Sequence, residues 1–172
     1  MGLNFSQIPE QTNIFIDSNI FLYLFLKHPG YYQACRSFIQ RIERGEIIGL
    51  INDFVYNEVM HKLMVTALVN HNHCSPHEAV SFIKREPEVL DELPELWQAG
   101  ELLQLIDLKK ISGPFFPSAL SFSKKYKLLI TDAVHVAGMQ KDGVFHIATN
   151  DNDFRHIPSL IIYKPEREDY IG

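Results

Sequence analysis

Little in this sequence serves covalent cross-linking, membrane anchoring or the coating of a polyanion. Only two cysteines, Cys35 and Cys74, occur in 172 residues. That is too few for a disulfide framework, so a packed core must carry stability, and a reducing cytoplasm is the expected location. The longest apolar run, Ile20 to Leu26, falls far short of the ~20 residues that span a bilayer, so no membrane partner is expected. No basic segment followed by an apolar stretch opens the chain, which argues against a secretory leader. Met1-Gly2 with Ser6 meets only the loosest acylation pattern. Positive charge is not in excess: 16 Lys and Arg stand against 21 Asp and Glu, a net charge of −5. This excludes a broadly basic surface wrapped in nucleic acid and leaves a local groove open. There is no glycine-rich phosphate loop and no nucleophile elbow, so covalent catalysis has little support.

What is present is a buried-sheet pattern in a chain whose length suits one domain, residues 1–172, with 46% hydrophobic content. Asn13-Ile14-Phe15-Ile16 runs into Asp17-Ser18-Asn19, a continuous apolar run as found in strands covered on both faces. Ile20 to Lys27 and Tyr31 to Arg44 read as helices, Ile47 to Ile51 as a second strand, and Phe54 to about His71 as a long helix with Asp53 as its cap. Alternating strands and helices imply a central, mainly parallel sheet flanked by helices, an α/β fold. Residues 72–112 break that rhythm as a helical excursion. It opens on a capping box at Ser75-Pro76-His77-Glu78 and is divided by Pro87 and Pro94. From Gly113 and Pro114 the alternation resumes. A helix Ser118 to Tyr126 is followed by an apolar run Leu128 to Thr131 read as a strand, a helix Ala133 to Lys141, strands Val144 to Thr149 and Leu160 to Tyr163, and a charged tail.

Three apolar runs end in an acid: Phe15-Ile16-Asp17, Leu129-Ile130-Thr131-Asp132 and Ile147-Ala148-Thr149-Asn150-Asp151. If these are parallel neighbours, the carboxylates converge at the carboxyl edge of the sheet, where open α/β folds bind ligands. Asp17 and Asp132 each also suit a simpler role as helix caps. Two carboxylates ~5 Å apart repel by about 3 kcal/mol at an effective dielectric near 20. Several together therefore require raised pKa values or bound cations, and oxygen ligands of this kind suit Mg²⁺ or Mn²⁺.

The strings Ile16-Asp17-Ser18-Asn19-Ile20-Phe21, Asn57-Glu58-Val59, Thr131-Asp132-Ala133-Val134-His135-Val136-Ala137 and Thr149-Asn150-Asp151-Asn152-Asp153-Phe154 occur in this order. By them the chain resembles the PIN-domain ribonucleases, VapC-type toxins among them, over nearly its full length. The resemblance implies that Asp17, Glu58, Asp132 and Asp151 form an acidic quartet holding divalent metal, with Asp153 as an auxiliary acid. It implies that Ser18, Asn19 and Thr149 orient those carboxylates or the water. The implied reaction is Mg²⁺- or Mn²⁺-dependent hydrolysis of RNA by an endoribonuclease, possible partners being an antitoxin protein and a second copy in a homodimer. The competing reading is a catalytically silent PIN-like module that binds RNA or protein. A phosphatase of another α/β family fits less well, because Asp17-Ser18-Asn19 lacks a second aspartate.

Glu58 stands four residues before Lys62, a spacing that a surface ion pair explains equally well. His135, one turn after Asp132, reads as a core histidine or as one supporting the site. His71, His73, Cys74 and His77 crowd one connection, but in spacings that suit no standard zinc site. Lys109, Lys110, Lys124, Lys125, Lys127, Lys141 and Arg155 read as solvated surface unless the fold gathers them. The apolar surface of Phe54 to His71 is the expected dimer face.

Overall fold

The computed structural model describes residues 2–113 and 115–168. Pro114, the first residue of the acylation pattern and the end of the charged tail lie outside them. In chain order the elements are strand β1 (Leu3–Asn4), strand β2 (Asn13–Ile16), helices α1 (Ser18–Phe25) and α2 (Tyr32–Glu43), strand β3 (Ile48–Ile51), and helices α3 (Asp53–Asn70), α4 (Ala79–Arg85) and α5 (Pro94–Leu105). Strand β4 (Leu108–Lys110), helices α6 (Phe116–Tyr126) and α7 (Ile130–Lys141), and strands β5 (His146–Ala148) and β6 (Ile161–Lys164) follow.

The six strands form one sheet in the order β1-β6-β5-β2-β3-β4, and every pairing is parallel. The α/β fold expected from the alternation is therefore present. Ile14, Phe15 and Ile16 of β2 are wholly buried, as a central strand covered on both faces requires. Strand order ascends from β2 towards β3 and β4 on one side and turns to β5 and β6 on the other. That reversal opens a crevice above the carboxyl ends of β2 and β5, and the register sets Ile16 against Ala148 there. Asp17 and Thr149, the next residues, enter the crevice together.

Gly49 of β3 shows why the sheet tolerates so little bulk at its centre. A Cβ there would meet Leu108 Cδ2 at 2.7 Å, Ile42 Cδ1 at 2.9 Å and Ile16 Cδ1 at 3.0 Å.

Two expectations are corrected. Leu128 to Thr131 is not a strand: α6 ends on Lys127 in the left-handed conformation, and α7 begins at Ile130. A central strand would be buried, yet Leu129 is 72% and Ile130 42% exposed. A short apolar run does not distinguish strand from helix by periodicity. The excursion is not helical to its end, because Leu108–Lys110 returns as the edge strand β4. The apolar side chains of the long helix are mostly consumed by the core: Val55, Val59, Leu63, Ala67 and Leu68 are buried. Exposed apolar side chains stand on α3 itself (Phe54), on α5 (Leu102, Leu105) and on α6 (Phe116, Leu120).

Candidate active site

Asp17 follows β2 and caps α1, its Oδ1 accepting the Ser18 N–H at 2.7 Å. Capping does not exhaust this carboxylate, which keeps lone pairs for further contacts. Its Oδ2 accepts from Asn19 Nδ2 and from Thr149 Oγ1, both at 2.6 Å. Thr149 is wholly buried and its hydroxyl is fully used. It donates to Asp17 while accepting from Asn19 Nδ2 at 3.1 Å and from the Asp151 N–H at 2.9 Å. Asn19 closes the net by accepting the Asn150 N–H at 3.2 Å. The residues after β2 and after β5 are therefore tied side chain to backbone across the crevice, through the Ser18 N–H, Asn19 and Thr149.

Asp132 arrives from a different direction than expected. It stands in the first turn of α7, whose cap position is Leu129. It is therefore not the cap, although the helix dipole favours a negative charge there. Glu58, half-buried on α3, turns inward beside Ser18 and Lys62 rather than lying on the surface. A cavity of about 350 Å³ is lined by Asp17, Glu58, Asp132 and Asp151 together with Tyr23 and Lys62. Four acids from four separate chain segments thus face one space.

Asp153 is not brought in. Its side chain is exposed and outside that lining, and its backbone N–H instead donates to Asp151 Oδ1 at 2.9 Å. The contact that Asp153 makes with the acids is this backbone hydrogen bond to Asp151. Asp153 opens the 3-10 turn Asp153–His156, and that geometry turns its carboxylate to solvent.

Electrostatics record the crowding. Burial pushes the Asp17 carboxyl up, against the hydrogen bond from Thr149. Burial, then the charge of Asp17, raises Asp132 to about 6. Glu58 is lowered, chiefly by the imidazole of His135, whose Nε2 lies 3.6 Å from Glu58 Oε2. Asp17, Glu58 and His135 offer ligand atoms all within 4.8 Å of one another. Hard oxygen donors, two of them with pKa values raised by confinement, are the donor set that a divalent cation relieves, so the residues present fit such an ion.

The other clusters do not join this site. Lys62 is the cation lining the cavity. Lys110 pairs with Asp53 at 2.9 Å, and Lys141 lies over the Phe115 ring. His71 bonds Glu95 at 2.7 Å and His73 lies 3.5 Å from Glu92, and the metal-type grouping found among the described residues contains neither. Sequence reasoning passed over Tyr23 and Asn52. Tyr23 lies one helical turn after Asn19 and accepts from Asn150 Nδ2 at 3.1 Å, so the i, i+4 spacing on α1 was its signal. Asn52 sits just beyond β3 as Asp17 does beyond β2, a small polar residue at a strand's carboxyl end.

Comparison with known proteins agrees with this geometry. The chain is 29% identical over 153 residues to "Ribonuclease VapC2" of Methanocaldococcus jannaschii, covering 89% of this chain and 94% of that relative. Among solved structures, a toxin–antitoxin complex from Klebsiella pneumoniae superposes with a TM-score of 0.54 at 19% identity, over 86% of this chain and 95% of that one. VapBC2 from Rickettsia felis, bound to a DNA fragment from its promoter, does so with 0.53 at 14% identity, over 90% of this chain and 100% of that one. At these identities the two structures speak for the fold. The PIN domain family model matches residues 14–160, and the chain belongs to the PIN domain family.

Proposed function

We propose that the protein is an endoribonuclease that hydrolyses RNA phosphodiester bonds with Mg²⁺ or Mn²⁺, and that it is the toxin of a toxin–antitoxin pair. The observation that carries this reading is the convergence of Asp17, Glu58, Asp132 and Asp151 on one cavity, with Asp132 raised to about 6 by burial and by its neighbour. The kinship to a VapC ribonuclease supplies the substrate class. A silent RNA-binding module has no use for four confined carboxylates.

The four acids would hold the cation. When bound, a divalent ion offsets their repulsion, lowers the pKa of water and stabilises charge on the phosphate. Thr149, Asn19 and the Ser18 N–H fix both oxygens of Asp17, so its ligand direction is set before substrate arrives. The Asp153 N–H does the same for one oxygen of Asp151. Lys62 at the cavity wall supplies positive charge for the incoming phosphate. Asp132 holds a proton below about pH 6, so cation binding competes with protonation there and weakens as pH falls.

The whole chain, residues 1–172, is taken as one catalytic domain. No described helix is long and apolar enough to cross a membrane, and a cytoplasmic location follows from the RNA substrate. The Klebsiella and Rickettsia neighbours are described as a toxin–antitoxin complex and as VapBC2, which supports an antitoxin partner here. A homodimer belongs to the same proposal, with exposed Leu102, Leu105 and Phe116 as apolar surface for either partner. Light scattering of the purified chain reads the oligomeric state. The decisive assay is cleavage of single-stranded RNA with added Mg²⁺ or Mn²⁺. Asp17→Asn, Asp132→Asn and Asp151→Asn should each abolish it while circular dichroism stays unchanged. Full cleavage by all three overturns the proposal.

A further inference from the structure

His135 is wholly buried on α7, and its two ring nitrogens meet very different neighbours. Nδ1 lies 3.1 Å from Asn52 Nδ2. The orientation of that amide is set independently, because Asn52 Oδ1 accepts the Val55 N–H at 3.1 Å as the cap of α3. The atom facing His135 is therefore the amino group, which donates and cannot accept. Nδ1 must supply the lone pair, so a proton resides on Nε2. Among the described residues that Nε2 has no hydrogen-bond partner. It points towards Glu58 Oε2 at 3.6 Å, just beyond hydrogen-bond length. Such bonds are often long before a site is loaded.

We infer that His135 is a positioning residue for Glu58: its Nε2–H, aimed by the Asn52 amide, turns the Glu58 carboxylate into the cavity, and the imidazole does not itself ligate the cation. The proximity of Asp17, Glu58 and His135 would otherwise suggest a mixed oxygen–nitrogen ligand set. Ligation through Nε2 needs its lone pair, which moves the proton to Nδ1 and sets two donors face to face. Turning the Asn52 amide over relieves that clash only by presenting its amino group to the Val55 N–H, which destroys the cap. Asn52 is itself 2% exposed, so water does not step in. The Phe15 ring, 5.1 Å away at 43°, packs against the imidazole and hinders a ring rotation that would exchange the nitrogens.

This assignment rests on the reading of the four acids as a cation site, and its first test is independent of RNA cleavage. Nitrogen-15 NMR of the histidine-labelled full chain should show the His135 ring with unprotonated Nδ1 and protonated Nε2, both without cation and with saturating Mg²⁺. His135→Gln removes the resonance and so assigns it. Asn52→Asp keeps an oxygen for the Val55 cap but offers Nδ1 an acceptor, so a proton should appear on Nδ1. In calorimetry with Mn²⁺, His135→Leu should lose affinity ~10–100-fold, the usual cost of removing a group that orients a metal ligand. His135→Gln, which retains a donor at similar reach, should stay close to the unsubstituted chain. A proton on Nδ1 of the unsubstituted chain, loss of the Nε2 proton on adding Mg²⁺, or equal Mn²⁺ affinity in the Leu and Gln variants overturns the assignment. If the NMR pattern and affinities hold while the chain fails to cleave RNA, the ribonuclease reading fails and the role of His135 stands.

Discussion

Replacing Asp132 with Asn should make the metal-free protein more stable at neutral pH, although it removes an acid from the centre of the site. Asp132 is held at about 6 against an ordinary 3.8, a gap equivalent to about 3 kcal/mol between its two protonation states. Asp132 is only partly buried, and water screens part of that, leaving roughly 1–2 kcal/mol. Between pH 4 and 6 the folded state binds more protons at Asp132 than the unfolded chain does. The contribution of this residue therefore falls as pH rises through that window and is flat above it. The Asn variant lacks the slope. At pH 7 in EDTA its melting temperature should exceed that of the unsubstituted chain by about 2–8 °C, from 2–4 °C per kcal/mol at this size. At pH 4 the two should nearly coincide. Adding Mg²⁺ should reverse the order, because the unsubstituted chain gains binding energy and the variant gains less. Calorimetric scans of both proteins across pH measure the difference directly, and titrating groups remote from the site cancel in it. A variant no more stable at pH 7, or an advantage that grows towards pH 4, refutes the idea that confined charge raises Asp132.

Other perturbations probe different layers of the fold. Thr149→Val deletes the hydroxyl that serves Asp17, Asn19 and Asp151, and should cost about 1–3 kcal/mol in denaturant melts with a ~10–100-fold loss of Mn²⁺ affinity; an unchanged affinity would show that the net across the crevice is idle. Gly49→Val drives carbon into Leu108, Ile42 and Ile16 and should destabilise by about 1–3 kcal/mol without altering metal affinity once folded, as urea titration and calorimetry can check. Burial pushes the Cys35 thiol up to about 12, so at pH 8 a thiol reagent should modify Cys74 and leave Cys35 untouched until the protein unfolds. Mass spectrometry of the labelled chain decides this, and rapid labelling of Cys35 in the native state contradicts its burial.

Much of the site was legible because its chemistry is local. Asp17, Thr149 and Asp151 stand directly beyond apolar strands, and the period and continuity of those strands show in the residues themselves. The quartet Asp17, Glu58, Asp132 and Asp151 was expected from four short strings and is found around one cavity. Asp132 was expected for a partly mistaken reason. Leu128 to Thr131 looks like a strand, but two residues after the left-handed Lys127 there is room only for the start of α7. Asp153 satisfied the same string but lies outside the cavity lining, because its turn points the carboxylate outward. The strands β1 and β4, two and three residues long, carry too little pattern to be read.

By itself, then, the amino-acid sequence determined the strand–helix alternation, the parallel sheet that alternation demands, and that Asp17 and Asp151 follow strands. Those are properties of neighbours along the chain, written in apolar runs and caps. Only the tertiary structure decided that Glu58 faces inward, that Asp153 does not, and that His135 meets Asn52 on one nitrogen and Glu58 on the other. The placements of Glu58 and His135 depend on the rotation of one helix against another, set by packing between segments distant in sequence, and that of Asp153 on how its turn sits against the end of β5.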